Sequence, residues 1–387
     1  MARILVTNFH QIGGGGHVPY IQALTKIPGI SEHVIGIATP EKSRLHIYLG
    51  EVSYPYLYAC DFPSKVQREL PSILFNIRKF RKIVSEFKPD IVHVNGGADM
   101  LIALWSHPLS RPYALVRTHH AIRNIPRDVY HRLIYDKYVS SNIYVSKTAM
   151  ELSVENSLSP QSATIIENGV DLMHFRPITR DMVLAKKYGI DEDTLCFGSC
   201  AGTGPYKRVD TIIDAALHIK ETVNGKHKFK IMVLGNTSQG IALQNLAKQK
   251  GLTEFVYCGF HRDVTRYVSL FDVGFILSDS VETISFAARE MLAMGKPLIS
   301  SSFSGLKENV HDGVNGILVK PGDINELASA MKYFLDIDKS ILAKFSFNAR
   351  EYACNSFDIN SQILSHSLLY DRVAAEFELH GRRREAD

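Results

Sequence analysis

Short apolar runs alternate with longer stretches in which apolar residues recur at helical spacing, and this alternation continues along most of the chain. Residues 3–7 (RILVT) form the first run. Four glycines at 13–16 follow, and then Val18, Ile21 and Leu24 recur every three residues, which predicts strand, Gly-rich turn and helix. Further β-runs fall at 34–38, 91–94, 113–118, 142–145 and 163–166, so the first 170 or so residues predict one doubly wound domain. The pattern breaks where Asn168, Gly169, Asp171 and Pro177 punctuate a stretch without periodicity, which predicts a linker. Alternation restarts with runs at 195–199, 230–234, 255–258, 273–277, 297–300 and 316–319. The fold class expected is α/β, with two doubly wound parallel-sheet domains at 1–175 and 176–358.

Composition agrees with two cores: 387 residues, 45% hydrophobic and 22% charged, exceed what a single core usually organises. The apolar stretch at the N-terminus is too short for a signal peptide, and no run approaches the roughly 18 apolar residues of a membrane span. A cytoplasmic location is therefore expected. Five cysteines without a C-x-x-C pair fit reduced thiols better than disulfides or a zinc site. The net charge of +4 is uneven, because residues 1–176 hold 19 Lys/Arg against 14 Asp/Glu. Much of that excess lies in 65–88, where Arg78, Lys79, Arg81 and Lys82 interleave with Ile73, Phe75, Ile77, Phe80 and Ile83. Such a helix either covers a sheet with a solvated basic face or docks on an anionic membrane surface. Nucleic acid is not expected as a partner, since the basic residues carry no reader motif. The charged tail 382–387 predicts disorder.

The most informative segment is 282–297, ETISFAAREMLAMGKP. The run at 273–277 ends in Ser278, Asp279 and Ser280, and a helix is predicted to start near Ser285, where unpaired N–H groups and the positive dipole end offer an anion site. Glu290 lies five residues on, about 7.5 Å along the axis. That matches the span from a nucleotide's diphosphate to its ribose hydroxyls, which a carboxylate accepts well. Solvated helix charges explain two glutamates at this spacing equally well.

The pair Glu282 and Glu290 within ETISFAAREMLAMGKPLISS resembles the donor-site signature of glycosyltransferase family 4, a retaining GT-B family. Supporting stretches occur in the family's order across nearly the whole chain: GGGGHVPYI (13–21), KPDIVHVNG (88–96), RTHH (117–120), ENGVD (167–171), YKRVD (206–210), VLG (233–235), CGFHRDV (258–264), FDVGFILS (271–278) and SGLKENVHDGVNGILV (304–319). The resemblance implies two Rossmann-like domains facing a central cleft, with the helix 359–378 crossing back to the first. It implies that Glu290 binds the donor ribose, and that Glu282 and the amides at Ile284, Ser285 and Phe286 face the transferred sugar and diphosphate. Gly15 and Gly16 fall where the family's glycines approach the phosphates, although a tight turn explains them as well. Lys207 matches the lysine that neutralises the diphosphate. The arginine usual five residues earlier is replaced by Gly202, with Arg208 the nearest substitute. His120, or His119 if the register slips by one, aligns with the histidine facing the donor sugar. Asn95 and Arg123 would line the acceptor side.

Metal is not expected. Asp191-Glu192-Asp193 and Asp336-Ile337-Asp338 do not follow a strand into a site, and the 16 histidines show no close ligand spacing. No cofactor is expected either, the nucleotide sugar being a substrate. The resemblance implies a retaining transferase that moves a sugar from a nucleotide-diphosphate sugar, with UDP ahead of GDP, to a glycan or lipid-linked acceptor in cell-envelope polysaccharide synthesis at the inner membrane face. A sugar-nucleotide epimerase of the same fold and a non-catalytic nucleotide-sugar-binding subunit are the alternatives.

Overall fold

The structure is a computed structural model that describes every residue except 13–14, 109–111, 123–124, 127, 156–161, 224–226, 281 and 387. It divides into two compact units, Met1–Asn168 with Ile359–Asp387, and Gly169–Asp358. The division falls a few residues ahead of 175/176, because Val170 already bonds to the second unit: its N–H donates to the Phe357 carbonyl at 2.8 Å.

The first unit holds a parallel sheet of β1 (Arg3–Thr7), β2 (Val34–Thr39), β3 (Leu57–Ala59), β4 (Ile91–Val94), β5 (Ala114–His119), β6 (Val139–Tyr144) and β7 (Ala163–Ile165), in the order β3-β2-β1-β4-β5-β6-β7. The second holds β8 (Thr194–Ser199), β9 (Lys228–Leu234), β10 (Phe255–Gly259), β11 (Val273–Ile276), β12 (Leu298–Ser301) and β13 (Gly316–Val319), in the order β10-β9-β8-β11-β12-β13. Every pairing is parallel. Only β3 has no counterpart among the sequence runs. Its three half-buried residues at a sheet edge give too short a pattern to detect.

A parallel sheet covered on both faces demands apolar residues of both parities, which is why the strands read as unbroken runs. In the second unit Phe197, Ile231, Val233 and Phe275 pack on one face with helices Val209–Val223 and Ile324–Asp336. Their neighbours Cys196, Met232, Leu234 and Ile276 pack on the other with helices Phe286–Ala293 and Lys339–Ser356. Gly198 in β8 is required by that second layer, since a Cβ there would lie 2.3 Å from the Phe271 ring.

The C-terminal helix Ile359–Ala386 belongs to the first unit and touches helix His17–Leu24, β4 and β5. A buried chain of hydrogen bonds anchors it. His366 Nδ1 lies 2.8 Å from the Gln362 carbonyl, which can only accept, so Nδ1 carries the proton. His366 Nε2 then accepts from Tyr20 Oη at 2.7 Å, Tyr20 accepts from Thr118 Oγ1 at 2.8 Å, and Thr118 accepts from His93 Nε2 at 2.6 Å. His93 Nδ1 completes the chain by accepting from Tyr370 Oη at 2.6 Å. The chain runs one way only if both imidazoles are neutral. Burial achieves this, holding His93 well below the ordinary 6.5 and His366 at about 4.

The sign of the resulting pH dependence follows from these shifts. A histidine with a depressed native pKa binds fewer protons when folded, so its stabilisation is present above about pH 6.5 and is lost as pH falls from there. His119, held at about 3 by burial, acts in the same direction, whereas buried Asp99, raised to about 6, opposes it. The balance predicts that the urea midpoint followed by fluorescence of Trp105, the single tryptophan, is lower at pH 5.5 than at pH 7.5. The variant carrying both His93→Gln and His366→Gln should show a shallower change, and a wild-type midpoint that does not fall would contradict the neutral chain.

Candidate active site

In a doubly wound sheet, loops diverge where the strand order reverses, and the opening lies at the carboxyl ends of the two strands involved. In the second unit those strands are β8 and β11. The segments that follow them, 200–208 and 278–285, carry Lys207, Arg208 and Glu282, and helix Phe286–Ala293 carries Glu290.

Two ion pairs stitch these segments together. The Lys207 ammonium, nearly buried, pairs with Glu282 Oε1. Arg208, in the left-handed region at φ +48°, pairs with Asp279 Oδ2 at 2.5 Å and spans both oxygens of Asp210 at 3.3 Å. Arg208 thus has carboxylates on two sides, which hold its guanidinium above its ordinary pKa. Gly202, at the family's arginine position, has φ +95°, a conformation in which a side chain is strained. The loop turns there in a manner suited to glycine. Gly235 lets it settle, since a Cβ on Gly235 would lie 2.7 Å from the Thr203 backbone nitrogen.

Ser285 caps the helix by accepting from the Ala288 N–H at 3.4 Å. Among the described residues, no acceptor bonds the N–H groups of Ile284, Ser285, Phe286 or Ala287. Unpaired N–H groups at a helix start are suited to an anion. The preceding loop is fixed by serines: Ser278 Oγ donates to the Ser280 carbonyl at 2.6 Å, and the same carbonyl accepts from the Glu282 N–H at 2.6 Å. Glu290 stands further along the helix beside Cys200. Burial raises the Glu290 carboxyl to about 7, and burial, then the Glu290 charge, push the Cys200 thiol up. A carboxyl desolvated without a cation partner waits for hydrogen-bond donors.

In the first unit the order reverses between β1 and β4, and Asn95 follows β4 directly. His120 follows β5. Its Nε2 lies 2.8 Å from Asn95 Oδ1, and its ring packs against His17 at 4.0 Å and edge-on to Tyr20 at 4.6 Å. His119 points elsewhere. It is buried, bonded to Asn142 Oδ1 at 3.0 Å and stacked on Tyr144 at 4.5 Å, so of the two histidines only His120 shares a face with Asn95. Gly15 and Gly16 are exposed, Gly15 with φ +42°, and Gly16 precedes helix His17–Leu24. Arg123 lies outside the described residues.

His10 and His17, whose rings meet 4.4 Å apart, and Cys200 beside Glu290 add to the residues expected from the sequence. The signal available for the histidines was their position on either side of the glycine run. No group of three metal-ligating side chains is found among the described residues.

Two doubly wound parallel sheets, of seven and six strands, form the GT-B architecture of glycosyltransferases. Residues 30–174 match the family described as Glycosyltransferase Family 4, and residues 192–336 the one described as Glycosyl transferases group 1. The chain belongs to the glycosyltransferases, as a Family 4 domain followed by a group 1 domain. It is 25% identical over 292 residues to EpsD of Bacillus subtilis (strain 168), a candidate glycosyltransferase, covering 71% of this chain and 75% of that one. It is 29% identical over 214 residues to D-inositol 3-phosphate glycosyltransferase 2 of Catenulispora acidiphila, covering 53% of this chain and 49% of that one. The match therefore spans about half to three quarters of these relatives. The crystal structure of Anabaena Alr3699/HepE in complex with UDP-glucose has the same fold, with a TM-score of 0.77 at 18% identity, over 96% of this chain and 100% of that one.

The raised Glu290 carboxyl has a stability consequence. With a native pKa of about 7 against an ordinary 4.5, its contribution is present at low pH and lost as pH rises through 7. Glu290→Gln should therefore gain on wild type between pH 5 and pH 8, by roughly 2–4 °C in melting temperature for each kcal/mol released. Parallel calorimetric melts at both pH values check this, and an equal offset at the two would refute the buried carboxyl.

Proposed function

We propose that the chain transfers a sugar, with retention of anomeric configuration, from a uridine diphosphate sugar to a hydroxyl of a glycan or lipid-linked acceptor in cell-envelope polysaccharide synthesis. The observation that carries this reading is the set of unbonded N–H groups at 284–287, with Lys207 and Glu282 on one side and Glu290 further along the helix. The donor complex of the Anabaena neighbour supports the choice of uridine.

In this reading the diphosphate lies on the helix start and draws Lys207 away from Glu282, which turns to the hydroxyls of the transferred sugar. Glu290 accepts from the ribose hydroxyls. The bond from the anomeric carbon to phosphate oxygen breaks as a bond to the acceptor oxygen forms on the same face, and the acceptor's proton passes to the leaving phosphate. Lys207 and the helix amides stabilise the charge that grows there. No metal or other cofactor is needed for that stabilisation.

Titration of the purified chain with UDP- and GDP-sugars tests the donor. Glu290→Ala should weaken UDP-glucose binding at least tenfold. Glu282→Gln should tighten binding of UDP alone, because Lys207 is released, while slowing sugar transfer. Unchanged affinities in both variants would count against the site. UDP release that depends on an added lipid acceptor extract separates transfer from acceptor-free epimerisation, and donor binding with neither activity would indicate a non-catalytic subunit.

The lipid-linked acceptor brings in the membrane surface. No helix among the described residues is long and apolar enough to cross a membrane. Helix Val66–Phe87, however, turns Leu70, Leu74 and Phe75 outward (45, 49 and 63% exposed) beside exposed Arg68, Arg78, Arg81 and Lys82. Apolar tips with a basic flank suit an anionic cytoplasmic leaflet. Co-sedimentation with vesicles containing phosphatidylglycerol, lost in high salt and in the variant Leu74→Ser/Phe75→Ser, checks this, and equal binding to neutral vesicles would contradict it.

A further inference from the structure

In the register of β5 with β6, Arg117 neighbours Asn142 and His119 neighbours Tyr144, so these four side chains share one face of the sheet. Tyr135 of helix Val129–Lys137 packs against them. The His119 ring stacks 4.5 Å from that of Tyr144 and 6.3 Å from that of Tyr135, and the Arg117 guanidinium bonds to Tyr135 Oη. His119, Tyr135, Asn142 and Tyr144 are buried, and Arg117 is half-buried. The hydrogen bonding of this cluster does not close. Arg117 Nη1 also donates to Met100 Sδ at 3.3 Å, and Asn142 Oδ1 lies 3.0 Å from His119 Nε2, but Arg117 Nε, Asn142 Nδ2 and the Tyr144 hydroxyl are buried without a partner. Each of the three donates. No carboxylate among the described residues pairs with the guanidinium: the oxygens of Asp99, on which its charge acts, accept from Thr7, Asn95 and Met100. A buried donor left unpaired destabilises the fold, as does a cation taken from water without a counter-ion, and a bound oxyanion relieves both.

We propose that Arg117, Asn142 and Tyr144 form a binding site for a phosphate group carried by the acceptor. The guanidinium supplies charge and a fixed donor direction, and the Tyr144 hydroxyl and the Asn142 amide take further oxygens, with no ion pair to break first. Three donors from two strands match the three free oxygens of a phosphate monoester better than the two of a carboxylate. The site lies wholly in the first unit. It makes the acceptor a phosphorylated molecule, and in that respect it rests on the reading of the chain as a transferase with a hydroxyl acceptor. A lipid phosphate and a water-soluble sugar phosphate present the same group, and the experiment tells them apart.

The full chain is titrated calorimetrically with glycerol 3-phosphate, with farnesyl phosphate below its micelle concentration and with glucuronate, each in the presence of UDP to occupy the helix start near Ser285. Binding of either phosphate supports the site: farnesyl phosphate held at least tenfold tighter identifies a lipid source, and equal affinities a water-soluble one. Arg117→Gln should weaken that binding about tenfold or more while affinity for UDP stays unchanged. Tyr144→Phe should weaken it about three- to tenfold and, by removing an unpaired hydroxyl, leave the ligand-free melting temperature unchanged or higher. A lower melting temperature in Tyr144→Phe means that the hydroxyl is bonded and overturns the site, even where Arg117→Gln does not fold. Glucuronate held as tightly as the phosphates overturns the choice of phosphate, and phosphate affinity that is the same in wild type and both variants overturns the residues. If neither phosphate binds wild type, the inference fails while sugar transfer to an unphosphorylated hydroxyl, read by UDP release, still stands. If the phosphates bind through Arg117 and UDP does not bind, the failure lies with the donor reading.

Discussion

The reversal of strand order between β8 and β11 is the constraint on which the second unit of this protein depends. Two adjacent parallel strands whose following helices leave on opposite faces cannot have their loops packed against each other, so backbone at their carboxyl ends is left open. The chain fills that opening with charge and unbonded N–H groups. Lys207 and Glu282 neutralise each other across it, Arg208 and Asp279 do the same beside it, and the helix start at Ser285 points N–H groups at the space between. These two ion pairs leave Glu290 as a carboxyl without a cation partner among the described residues.

The first unit repeats the topology with different chemistry. Around its own reversal, between β1 and β4, the groups are neutral: Thr7, Asn95, His93, His120 and Tyr20 exchange hydrogen bonds in fixed directions, with buried Asp99 as their acceptor. Buried polar networks of this kind specify orientation more than they add stability, since each group only recovers what desolvation cost it. The C-terminal helix enters the same network through His366 and Tyr370. The last segment of the chain therefore helps set the floor beneath His120, far away in sequence, and acid that protonates these imidazoles loosens both together.

Much of this was legible in the residues. Of the thirteen strands among the described residues, twelve stood out as apolar runs because both faces of a parallel sheet are covered, and β3, short and at an edge, escaped. The helix start at Ser285 followed from a capping serine after a polar loop, and Gly295 at φ +72° marks its end. Periodicity carried no information about polar partners. Nothing in the chain distinguishes His119 from His120, yet one stacks on Tyr144 and the other meets Asn95.

The sequence by itself determined the two doubly wound sheets and the break between them, because these follow from local pattern and spacing. Tertiary structure alone decided which charges neutralise one another, that Gly202 turns at φ +95°, and that His120 and not His119 meets Asn95. The physical reason is that a hydrogen bond depends on direction as well as identity. Direction is set by partners that folding brings together from β1, β4, β5 and the C-terminal helix, and no spacing along the chain records it.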